Sequence, residues 1–145
     1  MPEPGRDAGR GTDRLRQMAR FAVVGGLNTA LDFALLFVFV TVTHLGTYLA
    51  NVLSTGICLV VSFLLNRSFT FRADGDRRRQ FVRFLVVTLA GLWGVQTALI
   101  WAVNVALGGR LTGATLLFVA KLVATGGSLA WNYVLYDRLV FRSRP

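Results

Sequence analysis

Two charged residues lie inside long apolar runs: Asp32 within Phe21 to Thr43, and Lys121 within Thr112 to Tyr136. An ionisable group in such a run either pairs with an opposite charge or marks the path of an ion or polar substrate. Asn28 precedes Asp32 by one helical turn and shares its face, and Asn51 holds in the first half of the chain the place of Lys121 in the second. Asn28, Asp32, Asn51 and Lys121 are therefore candidates for one polar site. Asn66 and Arg67, just beyond the second apolar run, and Asn132, near the end of the fourth, are candidates for binding a headgroup.

Depth and cost refine this reading. At about 1.5 Å per helical residue, Asp32 lies about 18 Å from Arg20 and Lys121 about 22 Å from Tyr136. Each charge costs about 2.5 to 3.5 kcal/mol to insert. The first run offsets this with 13 Phe, Val and Leu residues; the fourth has nine and three glycines. Lys121 is thus expected to find a partner inside the protein, and similar depth nominates Asp32. A structural ion pair and a transport site both fit.

Other reactive residues point away from catalysis. Asp74-Gly75-Asp76 has the Asp-x-Asp form that holds a metal and a sugar nucleotide, but two acids across a glycine also make a solvated turn. No aqueous segment is long enough to fold a nucleotide-binding domain. Cys58 is the only cysteine, so no internal disulfide forms, and His44, the only histidine, is expected at the membrane interface. With no nucleophile-base pair, phosphate-cradling loop or metal-spaced cluster, the chain is expected not to be an enzyme, and to need no cofactor or metal.

The elements that position these residues follow from composition. Of 145 residues, 54% are hydrophobic and 16% charged, against roughly 25% charged in a soluble domain. Four runs are long enough to cross a hydrocarbon core of about 30 Å, predicting helices over about 21–43, 45–65, 84–107 and 112–136. The expected fold class is all-α: an integral membrane four-helix bundle built from two parallel two-helix repeats. Its transmembrane domain spans 20–142, after a flexible basic segment, 1–19, and before a short tail, 143–145. Fourteen arginines fall in the N-terminal, central and C-terminal segments, against Arg110 alone on the other side. Both termini are therefore expected in the cytoplasm, with these arginines touching anionic lipids. Because the basic residues border the bilayer, nucleic acid is not an expected partner.

The halves resemble each other. An offset of 63 aligns Arg20-Phe21-Ala22-Val23-Val24 with Arg83-Phe84-Leu85-Val86-Val87; an offset of 70 aligns Ala50 with Ala120, Thr55-Gly56 with Thr125-Gly126 and Phe71-Arg72 with Phe141-Arg142. The seven-residue difference falls in the first or third helix or the outer turns. Ala50, Ser54, Cys58, Ser62 and Asn66 recur every four residues, as do Ala120, Ala124, Ser128, Asn132 and Tyr136. Small residues at this spacing let helix backbones approach closely in lipid, so these stripes are the expected packing seams.

The strings Arg20-Phe21-Ala22-Val23-Val24-Gly25-Gly26-Leu27-Asn28-Thr29, Asp32 and Ser62 to Phe71 resemble the GtrA-like family of small bacterial membrane proteins. Arg83-Phe84, Ala120-Lys121, Trp131-Asn132-Tyr133 and Val140-Phe141 continue the likeness over about residues 18–142, whereas Tyr136-Asp137 departs from the family's repeated Asn-Arg. The resemblance implies a role in cell-surface polysaccharide synthesis at the inner (plasma) membrane: flipping of a polyprenyl-phosphate-linked sugar between leaflets. Lys121 then meets the phosphate within the membrane, with Arg20, Arg67 and Arg83 capturing it at the cytoplasmic leaflet. The alternative is a non-transporting partner that recruits or stabilises a membrane glycosyltransferase. A homo-oligomer fits either reading, because four helices barely enclose a path for a sugar. A cation-coupled drug exporter would carry a membrane glutamate, which the four runs lack.

Overall fold

The computed structural model describes residues 6–43, 46–111 and 113–141, with side chains from Gly11 onward. His44, Arg142 and Arg144 lie outside the described residues, so expectations about them stay open. The elements are α1 (Arg6–Thr41), α2 (Thr47–Leu65), α3 (Arg77–Leu89), α4 (Gln96–Leu107) and α5 (Gly113–Leu135), with π-helical turns π1 (Asn66–Thr70), π2 (Ala90–Val95) and π3 (Tyr136–Val140). Among the described residues there is no strand. Since π1 prolongs α2, π2 joins α3 to α4 and π3 prolongs α5, four continuous helical spans result, each long and apolar enough to cross a membrane. The chain is an all-α, multi-pass membrane protein.

The helices outrun the apolar segments that announce them. α1 begins at Arg6, inside the segment expected to be flexible, and α3 begins at Arg77 rather than near 84. The second and fourth spans continue to Thr70 and Val140, past their expected ends at 65 and 136, while α1 stops at Thr41. Hydropathy locates only the part of a helix that meets hydrocarbon. The backbone keeps its internal hydrogen bonds through the interface, where Arg, Leu, Gln, Met and Ala are good helix formers. At Asp76 a cap sets the start of α3: its Oδ1 accepts from the Arg78 and Arg79 amides at 2.9 and 3.3 Å.

Two compact units divide the chain, residues 1–73 and 74–145. In the first hairpin α1 packs on α2 and π1; in the second, α3, π2 and α4 pack on α5 and π3. The four-residue stripes form the seams. Ala50, Ser54, Cys58 and Asn66 are buried on one return helix, and Ala120, Ala124, Ser128 and Tyr136 on the other. Ser62 and Asn132 are half-buried. Outside the seams, Phe33, Phe37, Trp93, Trp101 and Leu117 are each exposed by about two-thirds, the inverse of a water-soluble surface.

The repeat is visible in the contacts as well as the letters. Arg20 donates to the Phe69 carbonyl at 3.5 Å, and Arg83 to the Leu139 carbonyl at 3.2 Å, the counterparts under the two offsets. π1 and π3 close with the same bond at 2.8 Å, from the Phe71 amide to the Asn66 carbonyl and from the Phe141 amide to the Tyr136 carbonyl. The stretches of sequence between the paired helices, 42–46 and 108–112, have equal length. The seven-residue difference therefore lies in the helices. From Arg83 to Leu107 the second hairpin is three residues longer than the first is from Arg20 to Thr41, and Ala120 stands four residues deeper in α5 than Ala50 does in α2. Each arm gains about one turn, or about 5 Å.

Candidate functional site

The first hairpin carries a line of polar atoms that its own chain does not satisfy. On α1, the Oδ1 atoms of Asn28 and Asp32 are buried and lack a hydrogen-bond partner. On the facing span, the same is true of Asn66 Oδ1 and Thr70 Oγ1 in π1, residues only 2% and 3% exposed. Buried polar atoms are nearly always paired, and leaving one unpaired costs about 1 to 3 kcal/mol. Four such atoms lie in the first hairpin, against one in the second.

The helices explain how these residues meet. Asn28 and Asp32 share a face because they are one turn apart, and Cys58 crosses that face: its Sγ donates to the Asn28 carbonyl at 3.7 Å. The Cys58 thiol also lies against the Asp32 carboxyl. Asn66 has an unambiguous orientation. Its Nδ2 donates to the Ser62 carbonyl at 2.9 Å and to Ser62 Oγ at 3.3 Å, which leaves Oδ1 as the orphan. Thr29, Thr41, Thr43 and Ser68 turn their hydroxyls back to the carbonyl four residues earlier; Thr70 does not. Arg67 is half-buried in the same π turn, and Asn51 is exposed on α2.

The second hairpin holds Lys121 and Asn132. Lys121 is exposed on α5, and its ammonium donates to Gln96 Oε1 at 3.2 Å. Gln96 is the first residue after π2 and was not among the expected site residues; as one of two amides, with Asn104, in an otherwise apolar third run, it could have been singled out. Asn132 Oδ1 is buried without a partner. Among the described residues of this hairpin, no other buried side-chain polar atom lacks a partner. The Thr88 and Tyr136 hydroxyls are 2.6 Å apart, Thr88 donates to the Phe84 carbonyl at 2.7 Å, and Trp131 Nε1 donates to the Val87 carbonyl at 3.3 Å. Tyr136 stacks on Phe84 with ring centroids 4.9 Å apart. Of the expected residues, Asn28, Asp32, Asn51, Asn66 and Arg67 thus belong to the first hairpin, with Asn51 exposed, and Lys121 and Asn132 to the second.

Asp74-Gly75-Asp76 is an N-terminal cap. Gly75 takes a φ of 110°, accessible to glycine, Asp76 holds the first turn of α3 and reaches Arg79 Nε at 3.4 Å, and the Asp74 carbonyl accepts from Gln80 at 2.9 Å.

A family model described as GtrA/DPMS, transmembrane domain, matches residues 20–143. The chain is also similar to the uncharacterized membrane protein YngA of Bacillus subtilis (strain 168), with 31% identity over 126 residues, 84% of this chain and 77% of that protein.

Proposed function

Because the chain belongs to the GtrA/DPMS transmembrane domain family, whose members act in membrane processes involving sugar-polyprenyl phosphates and are generally non-catalytic, we propose that it translocates a polyprenyl-phosphate-linked sugar from the cytoplasmic to the outer leaflet. The observation that carries this reading is the line of unsatisfied oxygens on Asn28, Asp32, Asn66 and Thr70 within an apolar hairpin. A flippase must offer a sugar headgroup hydrogen bonds that replace water while the prenyl tail stays in lipid. These oxygens, at successive depths from Thr70 to Asp32, supply them.

In this reading Arg20, Arg67 and Arg83 attract the phosphate at the cytoplasmic leaflet of the plasma membrane, and Lys121 meets it deeper. The arginine-rich side faces the cytoplasm and anionic lipids, and a membrane glycosyltransferase uses the delivered sugar on the outer side. The test is reconstitution of purified protein in vesicles carrying labelled polyprenyl-phosphate sugar in one leaflet. Transfer to the other leaflet faster than in protein-free vesicles is the expected result; transfer at the protein-free rate overturns the proposal.

One observation favours the alternative of a non-transporting partner: Lys121 is exposed on its hairpin with an amide as its hydrogen-bond acceptor. A second chain, of a glycosyltransferase or of this protein, would cover that ammonium. Co-purification of a glycosyltransferase, lost in Lys121→Leu, together with absence of transfer by the protein alone, supports it.

A further inference from the structure

The arginines that open the two hairpins repeat as closely as the seams do. The offset of 63 that pairs Arg20 with Arg83 also pairs Asp13 with Asp76, Arg16 with Arg79 and Gln17 with Gln80, while it sets Leu15 against Arg78 and Ala19 against Val82. At the start of α3 the second copy forms an open cleft of about 500 Å³, lined by Asp76, Arg78, Arg79, Val82 and Arg83. Spacings of three and four residues place these side chains on adjoining rows of one helix face. The helix end is not the binding group, because Asp76 Oδ1 already takes the Arg78 and Arg79 amides. The guanidiniums are. Arg83 is held to the Leu139 carbonyl through one nitrogen and Arg79 is tethered to Asp76 through Nε, which positions both; the exposed Arg78 side chain has no partner in the chain. From the cleft, exposed Val82, Val86 and Leu89 form an apolar stripe along the third span.

We propose that this cleft binds the phosphate monoester of a lipid, and that the lipid is the sugar-free polyprenyl phosphate, its carbon chain following the stripe. The identity of the lipid rests on the translocation reading; the monoester follows from charge. Three guanidiniums against one carboxylate leave the cleft with two net positive charges. A phosphate monoester carries about −1.5 to −2 near neutral pH and has three free oxygens to share among guanidiniums. The sugar-linked carrier is a diester, with a single charge and one free oxygen fewer. In the first hairpin the corresponding residues are Asp13, Arg16 and Arg20, with Leu15 in place of Arg78; that set has one net positive charge and matches a diester. When a glycosyltransferase takes the sugar, the bond from the sugar carbon to the phosphate oxygen breaks and the phosphate keeps that oxygen with its electron pair. The spent carrier therefore has the second charge that the cleft reads, and the cleft holds it on the arginine-rich side for reloading.

The test measures binding of three probes to the purified chain in vesicles of zwitterionic lipid: polyprenyl phosphate, the same carrier bearing a neutral hexose, and inorganic phosphate. The bare carrier is expected to bind about tenfold more tightly than the hexose diester, the scale of one added charge-assisted hydrogen bond. Inorganic phosphate, which lacks the chain, should not displace it. Arg78→Leu installs the first hairpin's residue and should erase the preference, whereas Arg78→Lys keeps the charge and should retain part of it. Because the Arg78 side chain is exposed and without a partner, both variants are expected to fold, which thermal unfolding checks. Equal binding of the two carriers by the wild-type protein overturns the proposal, as does a preference that survives Arg78→Leu. Displacement by inorganic phosphate at the carrier's own concentration assigns the cleft to a free anion and overturns it too. Preference for the monoester without transfer of the sugar-linked carrier between leaflets sinks the translocation reading and leaves the cleft standing; transfer without preference does the reverse.

Discussion

Under the repeat offsets Asn28 becomes Gly91, Asp32 becomes Val95, Gly25 becomes Thr88 and Asn66 becomes Tyr136. The two hairpins keep the same arginine-to-carbonyl clasp and the same closing π turn, yet they treat their seams in opposite ways. The first leaves oxygens of Asn28, Asp32, Asn66 and Thr70 unpaired; the second leaves Asn132 Oδ1. A duplicated scaffold has thus kept the contacts that make a hairpin and divided the rest: one copy buries four unpaired polar atoms at its seam, the other leaves one. The difference teaches that the site is not a property of the fold, since the same fold in the second copy lacks most of it.

Mutations at paired positions break or sharpen this contrast. The largest effect is expected at Asp32. Asp32→Ala should lower leaflet-to-leaflet transfer by about 100-fold, equivalent to about 2.7 kcal/mol, whereas Val95→Ala at the corresponding position should change it by less than about twofold. Lys121→Ala should also abolish transfer. If the Asp32→Ala/Lys121→Ala double variant regains activity, the two charges are a structural pair and the first hairpin loses its claim to the substrate.

Next come the glycines. A Cβ at Gly91 would approach Asn132 Oδ1 to 2.8 Å and Trp131 Cδ1 to 3.0 Å, so Gly91→Ala should cost about 1 to 3 kcal/mol from overpacking. Gly25→Ala meets nothing and should gain up to about 1 kcal/mol from helix propensity. Thermal unfolding followed by circular dichroism in detergent should therefore shift in opposite directions. Equal shifts would mean that the seams are closed to the same degree.

A smaller effect is expected from Tyr136→Phe, which removes the bond to Thr88 and should destabilise by about 1 kcal/mol. Trp93, Trp101 and Trp131 all belong to the second unit, so tryptophan fluorescence reads this loss directly. Asn66→Leu removes the orphan oxygen together with the amide's bonds to Ser62; the two effects oppose each other, so it should leave the melting temperature nearly unchanged. The smallest effect tests what the hairpins share: Arg20→Met and Arg83→Met should each cost about 0.5 to 1 kcal/mol for a partly exposed hydrogen bond, equally within error.

Much of the scaffold is readable from residue types alone, because a bilayer permits few solutions. Apolar length and the four-residue spacing of Ala, Ser and Cys identify the spans and the seams that the structure buries. The π turns are not readable, since nothing in Asn66–Thr70 or Tyr136–Val140 distinguishes an i to i+5 bond from an i to i+4 bond in composition. The site was half legible. Asn28, Asp32 and Asn66 stand out as polar residues in apolar runs, but whether such a group is satisfied depends on what crosses it: Tyr136 finds Thr88, and Asn66 has Gly25 in the corresponding place. Thr70 continues the four-residue spacing of α2 but looks like an ordinary interfacial threonine. Lys121 pairs with Gln96 because both lie on the second hairpin, a proximity that depth in the membrane does not encode.

The extra turn in each arm of the second hairpin bears on the bilayer itself. A longer apolar stretch suits a thicker hydrocarbon layer, and mismatch costs fractions of a kcal/mol per Å. Over about 5 Å, that is enough to make the hairpins prefer different lipids. Short-chain lipids would strain the second hairpin, which carries the satisfied seam, and long-chain lipids would strain the first, where the unpaired oxygens lie. Acyl-chain length therefore becomes a control variable for this protein: it acts on one repeat at a time without touching a residue.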